Sequence, residues 1–365
     1  MLYSFFGSIK NKSYSDILSL YGNIQHNLIE IDRFGYMNKF SPWNLGSKDD
    51  WFSLQSDMPN TDEKFYDIFY DRIRDIISHN EKLYVSWSGG VDSSAIVCGL
   101  LSYGYKNFEI LYTSESIEEF PLLYDILKKL NIRMIDLSDD INAIKYSSTI
   151  NDGLLIMGWC ADQLFGSIIN QDYPDYFKKN YADWIKMYSD NEGIDYSIAI
   201  EQSNDAFKHY NVPVRTFPEW AWFLNFAVKW NYVKLSPFAA IGKYTDRVIN
   251  FFDTIDFQKW SINNFDKLSL LAQTNPSEYK LPLKKIIEGY THYPDYTKTK
   301  GKNGSWKYVV IKQKTIKIAL IDDEGFKSFN PNFNVHPRRF LKVTERLVNE
   351  IAKQYLRNEN ERITI

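Results

Sequence analysis

Apolar residues along this chain recur at two different spacings, and their alternation predicts its architecture. Phe65, Ile68, Phe69, Ile73, Ile76 and Ile77 keep helical spacing, and Asn60-Thr61-Asp62-Glu63 before them reads as a capping box. A short continuous apolar run follows, Leu83-Tyr84-Val85-Ser86-Trp87, as expected of a buried strand. Ala95 to Leu101 then reads as a helix that Gly104 ends. Phe108 to Thr113 is a second strand, Glu118 to Leu130 a helix, Arg133 to Leu137 a strand, and Leu154-Leu155-Ile156 a strand running into Gly158. Strands alternating with helices predict an α/β fold, a parallel sheet with helices on both faces. Ligands of such a sheet gather at the carboxyl ends of its strands.

The flanks read differently. Residues 1–58 mix short apolar runs with Gly and polar breaks, as in a small β-containing segment, and Ser56-Asp57-Met58-Pro59-Asn60 marks its end. From about 172 to 290 the chain is mostly helical and rich in aromatics. There Trp220, Trp222, Phe223, Phe226 and Trp230 form either a buried helix face or the lining of an acceptor pocket. Beyond that, Trp306 to Ile311 and Thr315 to Leu320 predict a β-hairpin across Lys312-Gln313-Lys314, and Pro337 to Leu356 a last helix. The expected division is therefore 1–58, a central domain over 59–300, and a C-terminal hairpin and helix over 301–365.

The loop after the first strand carries the chemistry. In Ser88-Gly89-Gly90-Val91-Asp92-Ser93-Ser94, adjacent glycines let the backbone turn sharply and expose its amides to an anion. The helix that follows turns its first N–H groups and the positive end of its dipole toward that anion. Ser88, Ser93 and Ser94 add hydroxyls, and Asp92 suits a divalent cation held against phosphates. A Walker-type loop would end in Gly-Lys-Ser/Thr, and no lysine lies between Ser86 and Tyr105. Ser-Gly-Gly-Val-Asp-Ser instead resembles the PP-loop of the N-type ATP pyrophosphatases, whose fold is that of the adenine nucleotide alpha hydrolases. The resemblance implies ATP cut between the α and β phosphates.

A second run, Met157-Gly158-Trp159-Cys160-Ala161-Asp162-Gln163-Leu164-Phe165-Gly166-Ser167, is similar to the Gly-x-Gly-Ala/Ser-Asp-Glu-Leu-Phe-Gly-Gly signature of asparagine synthetases, β-lactam synthetases and lasso-peptide cyclases. That resemblance implies an ATP-dependent, amide-forming ligase with Asp92 and Asp162 on Mg2+. It also implies Ser86, Tyr112, Met157 and Gly158 beside the nucleotide, with Trp87 and Thr113 as neighbours. Asp162 alone also reads as a helix N-cap. Lys280-Leu281-Pro282-Leu283-Lys284 and Lys298-Thr299-Lys300-Gly301 resemble the family's Lys-x-x-Leu-Arg helix and Arg-x-Lys loop. This places Lys300 on the adenylate and departing pyrophosphate; the bland reading is a solvated basic loop.

Departures from the family pattern matter equally. Trp159 stands where those enzymes carry Glu or Tyr to assist attack, and an indole is no general base. Glu219, in Phe217-Pro218-Glu219-Trp220, is either a replacement base or a first-turn helix residue. Val233 and Leu235 replace the Glu and Arg of the family's Val-Glu-x-Arg-x-Pro-Phe stretch. The family's glutamine-using members begin Met-Cys, whereas this chain opens Met1-Leu2-Tyr3. Glutamine hydrolysis is therefore not expected, and residues 1–58 read equally as the relic of a glutaminase domain. The nitrogen is expected from ammonia, from an amine on the substrate, or from a separate subunit. The activated partner is a small-molecule or peptide carboxylate.

Composition narrows the rivals. A net charge of −3 gives no reason to expect nucleic-acid partners. No apolar run approaches membrane-spanning length, and the opening residues do not read as a signal peptide. Two cysteines supply neither a disulfide framework nor a zinc or Cys-x-x-Cys set, and His26, His79, His209, His292 and His336 lack metal-ligand spacing. A cytoplasmic ATP user fits, and the Lys, Asn, Ile, Tyr and Phe bias suits an A/T-rich genome such as a phage or low-GC bacterium. The rival readings are a PP-loop enzyme that modifies a nucleobase and a non-catalytic nucleotide-binding protein that kept the fold.

Overall fold

The computed structural model describes residues 51–55, 57–138, 152–166, 179–192, 197–228, 247–268 and 278–300. It also describes isolated positions at 143, 146, 149, 230, 233 and 234, and the backbone of strands at 2–8, 315–322 and 325–329. The chain forms two units, one of residues 50–179 and 215–304, the other of 1–49, 180–214 and 305–365. Strand β1 (Leu2–Ser8) belongs to the second unit.

The first unit opens with a short helix α1 (Trp51–Leu54) and then α2 (Asp62–Ser78). Thr61 caps α2, its hydroxyl accepting from the Lys64 N–H at 3.2 Å, with Asp62 and Glu63 in the first turn, where the helix dipole favours them. Strand β2 (Lys82–Ser86) leads through the Ser88 loop into α3 (Val91–Ser102), then β3 (Phe108–Tyr112). The helix expected over 118–130 is two: α4 (Ser114–Glu119) and α5 (Pro121–Lys129). Pro121 has no N–H and forces Phe120 to φ −147°, ψ 72°, which breaks the run. Strand β4 (Arg133–Asp136), β5 (Gly153–Met157) and α6 (Ala161–Phe165) follow. After α7 (Tyr181–Glu192) and α8 (Ser197–Tyr210) of the second unit, the first resumes with α9 (Phe217–Phe223) and a π-helical turn, Leu224–Val228. It ends with β6 (Val248–Asn250), α10 (Ile255–Ile262), α11 (Leu281–Thr291) and α12 (Tyr296–Thr299).

The five strands form one parallel sheet in the order β4-β3-β2-β5-β6. The chain moves outward from β2 to β4, then returns to the other side of β2 with β5. The order therefore reverses between β2 and β5, paired Val85 to Ile156, which is where open α/β sheets form their ligand crevice. Helix α3 is apolar on nearly all sides because α2 and α11 pack against it.

The aromatic stretch is core. Trp220, Trp222, Phe226 and Trp230 are all buried, and Phe65, Phe165 and Trp260 meet at 4.8 to 5.5 Å between ring centroids. The Leu164 carbonyl accepts from the Ser261 hydroxyl at 2.6 Å and from the Trp222 indole at 3.4 Å. This core therefore anchors the end of α6, and the acceptor-pocket reading of these rings is replaced by packing.

In the second unit β1 pairs antiparallel with β7 (Thr315–Asp322), Leu2 opposite Ile321, and β7 pairs with β8 (Gly325–Phe329). The hairpin thus joins β7 to β8. Residues 306–311 and the helix expected over 337–356 lie outside the described residues. Segments from both ends of the chain share this sheet, whereas the sequence divides them between 1–58 and 301–365. No helix among the described residues is long and apolar enough to cross a membrane.

Candidate functional site

Two loops leave the carboxyl ends of β2 and β5 side by side. In the first, the Trp87 indole N–H donates to Ser94 Oγ at 2.9 Å, and the Trp87 amide donates to the Leu111 carbonyl at 2.9 Å. Both side chains are buried, so Ser94 fixes the loop from beneath. Ser93 Oγ accepts from the Ser88 amide at 3.1 Å and lies 3.2 Å from Ser88 Oγ. Gly90 is the N-cap of α3, and no side chain caps the helix there. Its first-turn N–H groups and the positive end of its dipole lie just beyond the carboxyl end of β2, beside Asp92.

Gly89 has φ +73°, and a Cβ there would stand 2.4 Å from the Ser116 carbonyl oxygen and 2.7 Å from Glu119 Cβ. The second loop packs equally close: a Cβ on Gly158 would lie 3.1 Å from the Ser93 amide nitrogen and 3.2 Å from Asp92 Cβ. Cys160 is left-handed at φ 70°, a conformation that glycine takes freely and that costs a side chain about 1 kcal/mol. It is also the N-cap of α6, so Asp162 sits inside the first turn and is not the cap.

The loops converge on a lysine. Lys280 Nζ lies 2.6 Å from both carboxylate oxygens of Asp92 and 2.7 Å from Asp162 Oδ1, and its side chain is 5 % exposed. The Tyr279 hydroxyl donates to Asp162 Oδ1 at 2.7 Å. Burial opposes the charge on Lys280, but Asp162 and Asp92 outweigh it and hold its pKa above the ordinary value. Burial, with Asp162 and Asp92 beside it, raises the Tyr279 hydroxyl well above its ordinary range, so it stays a donor. In the sequence Lys280 and Lys284 stand out only as part of a run that resembles a family helix, and nothing local marks Tyr279.

Two more lysines face this cluster. Lys300 pairs with Glu119, donating to its carboxylate and, at 3.3 Å, to its backbone carbonyl. Glu119 is the residue that crowds Gly89, so Lys300 is held beside the Ser88 loop, while Lys298 pairs with Asp295 and stays exposed. Burial, then Lys280 and Lys300, push Lys284 down from 10.5 to about 8. Between those values the unfolded chain holds the Lys284 proton and the folded chain does not, so unfolding takes up a proton and stability rises with pH. Lys284→Met removes this term. From pH 7 to pH 10.5 the wild type should gain about 3 kcal/mol on the variant in urea unfolding. A difference flat across that range would show that Lys284 is not held this way.

No protein-family model matches the chain, and no curated protein does. Among solved structures it is similar to the U34-tRNA thiolase NcsA from Methanococcus maripaludis with its 4Fe–4S cluster. The identity is 13 %, the TM-score 0.20, and the match covers 68 % of this chain and 81 % of that one.

Other expected residues are placed as follows. Ser86 and Met157 end β2 and β5, with Met157 buried. Tyr112 ends β3 with its ring 5.8 Å from Tyr124. Trp159 packs against the cluster of Tyr84, Leu111, Leu155 and Met157. Glu219 takes the first-turn reading, as the third helical residue of a capping box with Thr216. Its Oε2 accepts from the amides of Arg215 at 2.6 Å and Thr216 at 2.8 Å, and Thr216 Oγ1 accepts from the Glu219 amide at 3.5 Å. Glu219→Ala should cost about 1 kcal/mol in urea unfolding and leave any turnover at this site unchanged. A hundredfold loss of turnover in a folded variant would make it a catalytic group. Lys234 pairs with Asp253 at 2.5 Å, and residues 235–238 and 301–304 lie outside the described residues.

Among the described residues no three His, Cys, Asp or Glu side chains cluster as a metal site. Asp92 and Asp162 nevertheless suit Mg2+, which takes one or two carboxylates and fills its remaining positions with phosphate oxygens and water. Both reach a single point, at which the Lys280 ammonium stands.

Proposed function

We propose that this chain uses ATP to adenylate a substrate oxygen, releasing pyrophosphate, and that an amine or ammonia captures the activated carboxylate as an amide. The observation that carries this reading is the convergence of Asp92 and Asp162 from the two loops at the β2/β5 crevice, in front of the uncapped N-terminus of α3. An anion-binding helix end flanked by a carboxylate pair suits a metal-bound polyphosphate.

In this reading the amides of residues 89–93 and the Ser88 and Ser93 hydroxyls bind the β and γ phosphates. Asp92 and Asp162 would hold Mg2+, which would supply positive charge to the phosphates. Lys300 caps the end of α12 and Lys284 lies on α11, so cationic charge reaches the leaving group without a lysine in the loop. The substrate carboxylate attacks the α-phosphorus, the bond to the β-phosphate oxygen breaks, and the nitrogen nucleophile then displaces AMP. Activation of a nucleobase carbonyl oxygen shares the first half of this chemistry.

The test is a pyrophosphate and AMP screen of purified protein with ATP across aspartate, other carboxylic acids and peptides, with and without ammonia. Pyrophosphate release that depends on one carboxylate is the expected result. Release stimulated by tRNA instead would move the assignment to nucleobase modification. Tight ATP binding in calorimetry with no cleavage against any acceptor would make this a binding protein. ADP and phosphate as products would overturn the reading of the loop.

A further inference from the structure

The Lys280 ammonium is not a spectator in the carboxylate pair. Two carboxylates brought to one point repel unless a cation sits between them. Lys280 supplies that cation from a residue held at φ 57°, in the left-handed region, at the N-cap of α11. A non-glycine residue keeps such a backbone only where its surroundings over-determine it. Here the determinants are three short ionic contacts and the neighbouring Tyr279 hydroxyl on Asp162.

We infer that Lys280 is a resident counterion occupying the position of the divalent cation, and that metal enters the Asp92–Asp162 pair only by displacing it. The inference rests on the reading of those two aspartates as the metal carboxylates. Charge explains the consequence. A divalent ion between the carboxylates leaves an ammonium within a few ångströms, where like charges in a partly dry site repel. The side chain is nearly buried, so a displaced ammonium needs a new anionic partner. A bound triphosphate is one. Metal alone therefore competes with Lys280 and binds weakly, whereas metal arriving with a nucleotide exchanges partners: the carboxylates take the metal and the phosphates take the ammonium. Nucleotide and metal then raise each other's affinity, as linkage requires. The cluster keeps both aspartates aimed at one point before either ligand arrives.

The test is manganese binding to nucleotide-free protein, followed by electron paramagnetic resonance. Lys280→Met should bind Mn2+ more tightly than wild type by about tenfold or more, because the competing charge is gone. Lys280→Arg keeps the charge and should bind as weakly as wild type. Adding Asp92→Asn to Lys280→Met should abolish the gain. If Lys280→Met does not fold, Lys280→Gln, which keeps a hydrogen-bond donor for the carboxylates, is read in its place. Mn2+ affinity unchanged or weaker in the folded neutral variant overturns the inference. The products of ATP are assayed separately. A gain in Mn2+ affinity without any pyrophosphate release would leave Lys280 as the counterion and overturn the adenylation reading. Pyrophosphate release without the gain would overturn only the role of Lys280.

Discussion

Asp92→Ala should lower pyrophosphate release by about a hundredfold or more, the scale of losing a group that stabilises charge on the leaving atoms. Asp162→Ala should do the same. The cluster adds a second expectation that activity alone would miss. Lys280 is 5 % exposed and draws its charge balance from these two side chains. Removing both carboxylates strands a buried ammonium, at a cost of about 3 kcal/mol in urea unfolding. Lys280→Met added to the double variant should recover most of that stability, since a methionine stem fills the same space without charge. It should recover none of the turnover. The cycle separates two roles that one substitution confounds, because the carboxylates balance a lysine in the folded protein and act on the nucleotide during turnover. Normal pyrophosphate release from either aspartate variant would dismiss the metal assignment. Stability lost in the double variant and not regained with methionine would dismiss Lys280 as its cause.

What local pattern could say, it said well. The alternation around Leu83–Trp87, Ala95–Leu101, Phe108–Thr113 and Leu154–Ile156 corresponds to β2, α3, β3 and β5, because a buried parallel strand and the helix over it each leave an apolar signature in one short window. Pro121 was a readable breaker, and the split between α4 and α5 follows from it. Strand β6 has three residues and no period to detect, and it exists because β5 offers it an edge. The pairing of β1 with β7 joins opposite ends of the chain, so neither strand's own sequence identifies its partner.

Distance in sequence likewise hid the centre of the site. Asp92 and Lys280 are 188 positions apart, and Asp162 and Tyr279 are 117. A lysine near a proline at a helix start looks like any solvated residue until its carboxylates are placed. Glu219 shows the converse. A lone acid among aromatics suggests a perturbed base, but Thr216 three residues earlier completes a capping box, and that local pairing takes its Oε2. Cys160 links the two scales. Its left-handed backbone accounts for a glycine at the same place in the motif it resembles, and the strain is paid locally so that Asp162 can face the first loop.

Gly89→Val should be the most damaging substitution outside the charged cluster. Two costs add there. The residue is left-handed at φ +73°, where a β-branched side chain is strained by about 2 kcal/mol, and its Cβ would press on a backbone oxygen at 2.4 Å. That oxygen belongs to Ser116, whose hydroxyl accepts from the Thr113 amide at 3.1 Å and so closes the start of α4. The strand-to-helix turn and α4 therefore cannot both keep their places. Displacing α4 moves Glu119, and Lys300 loses the carboxylate that holds it beside the loop. The expected result is a loss of about 3 kcal/mol or more in urea unfolding, with nucleotide affinity in calorimetry weakened at least about tenfold. Gly89→Ala should fall in the same direction with a smaller loss, since it adds the clash and the strain without branching. Gly104, also left-handed at φ +68° but with nothing within 4 Å of an added Cβ, supplies the control. Gly104→Ala should cost about 1 kcal/mol of strain and leave nucleotide affinity untouched. If both glycines responded alike, the close approach of α4 would not be what shapes the loop.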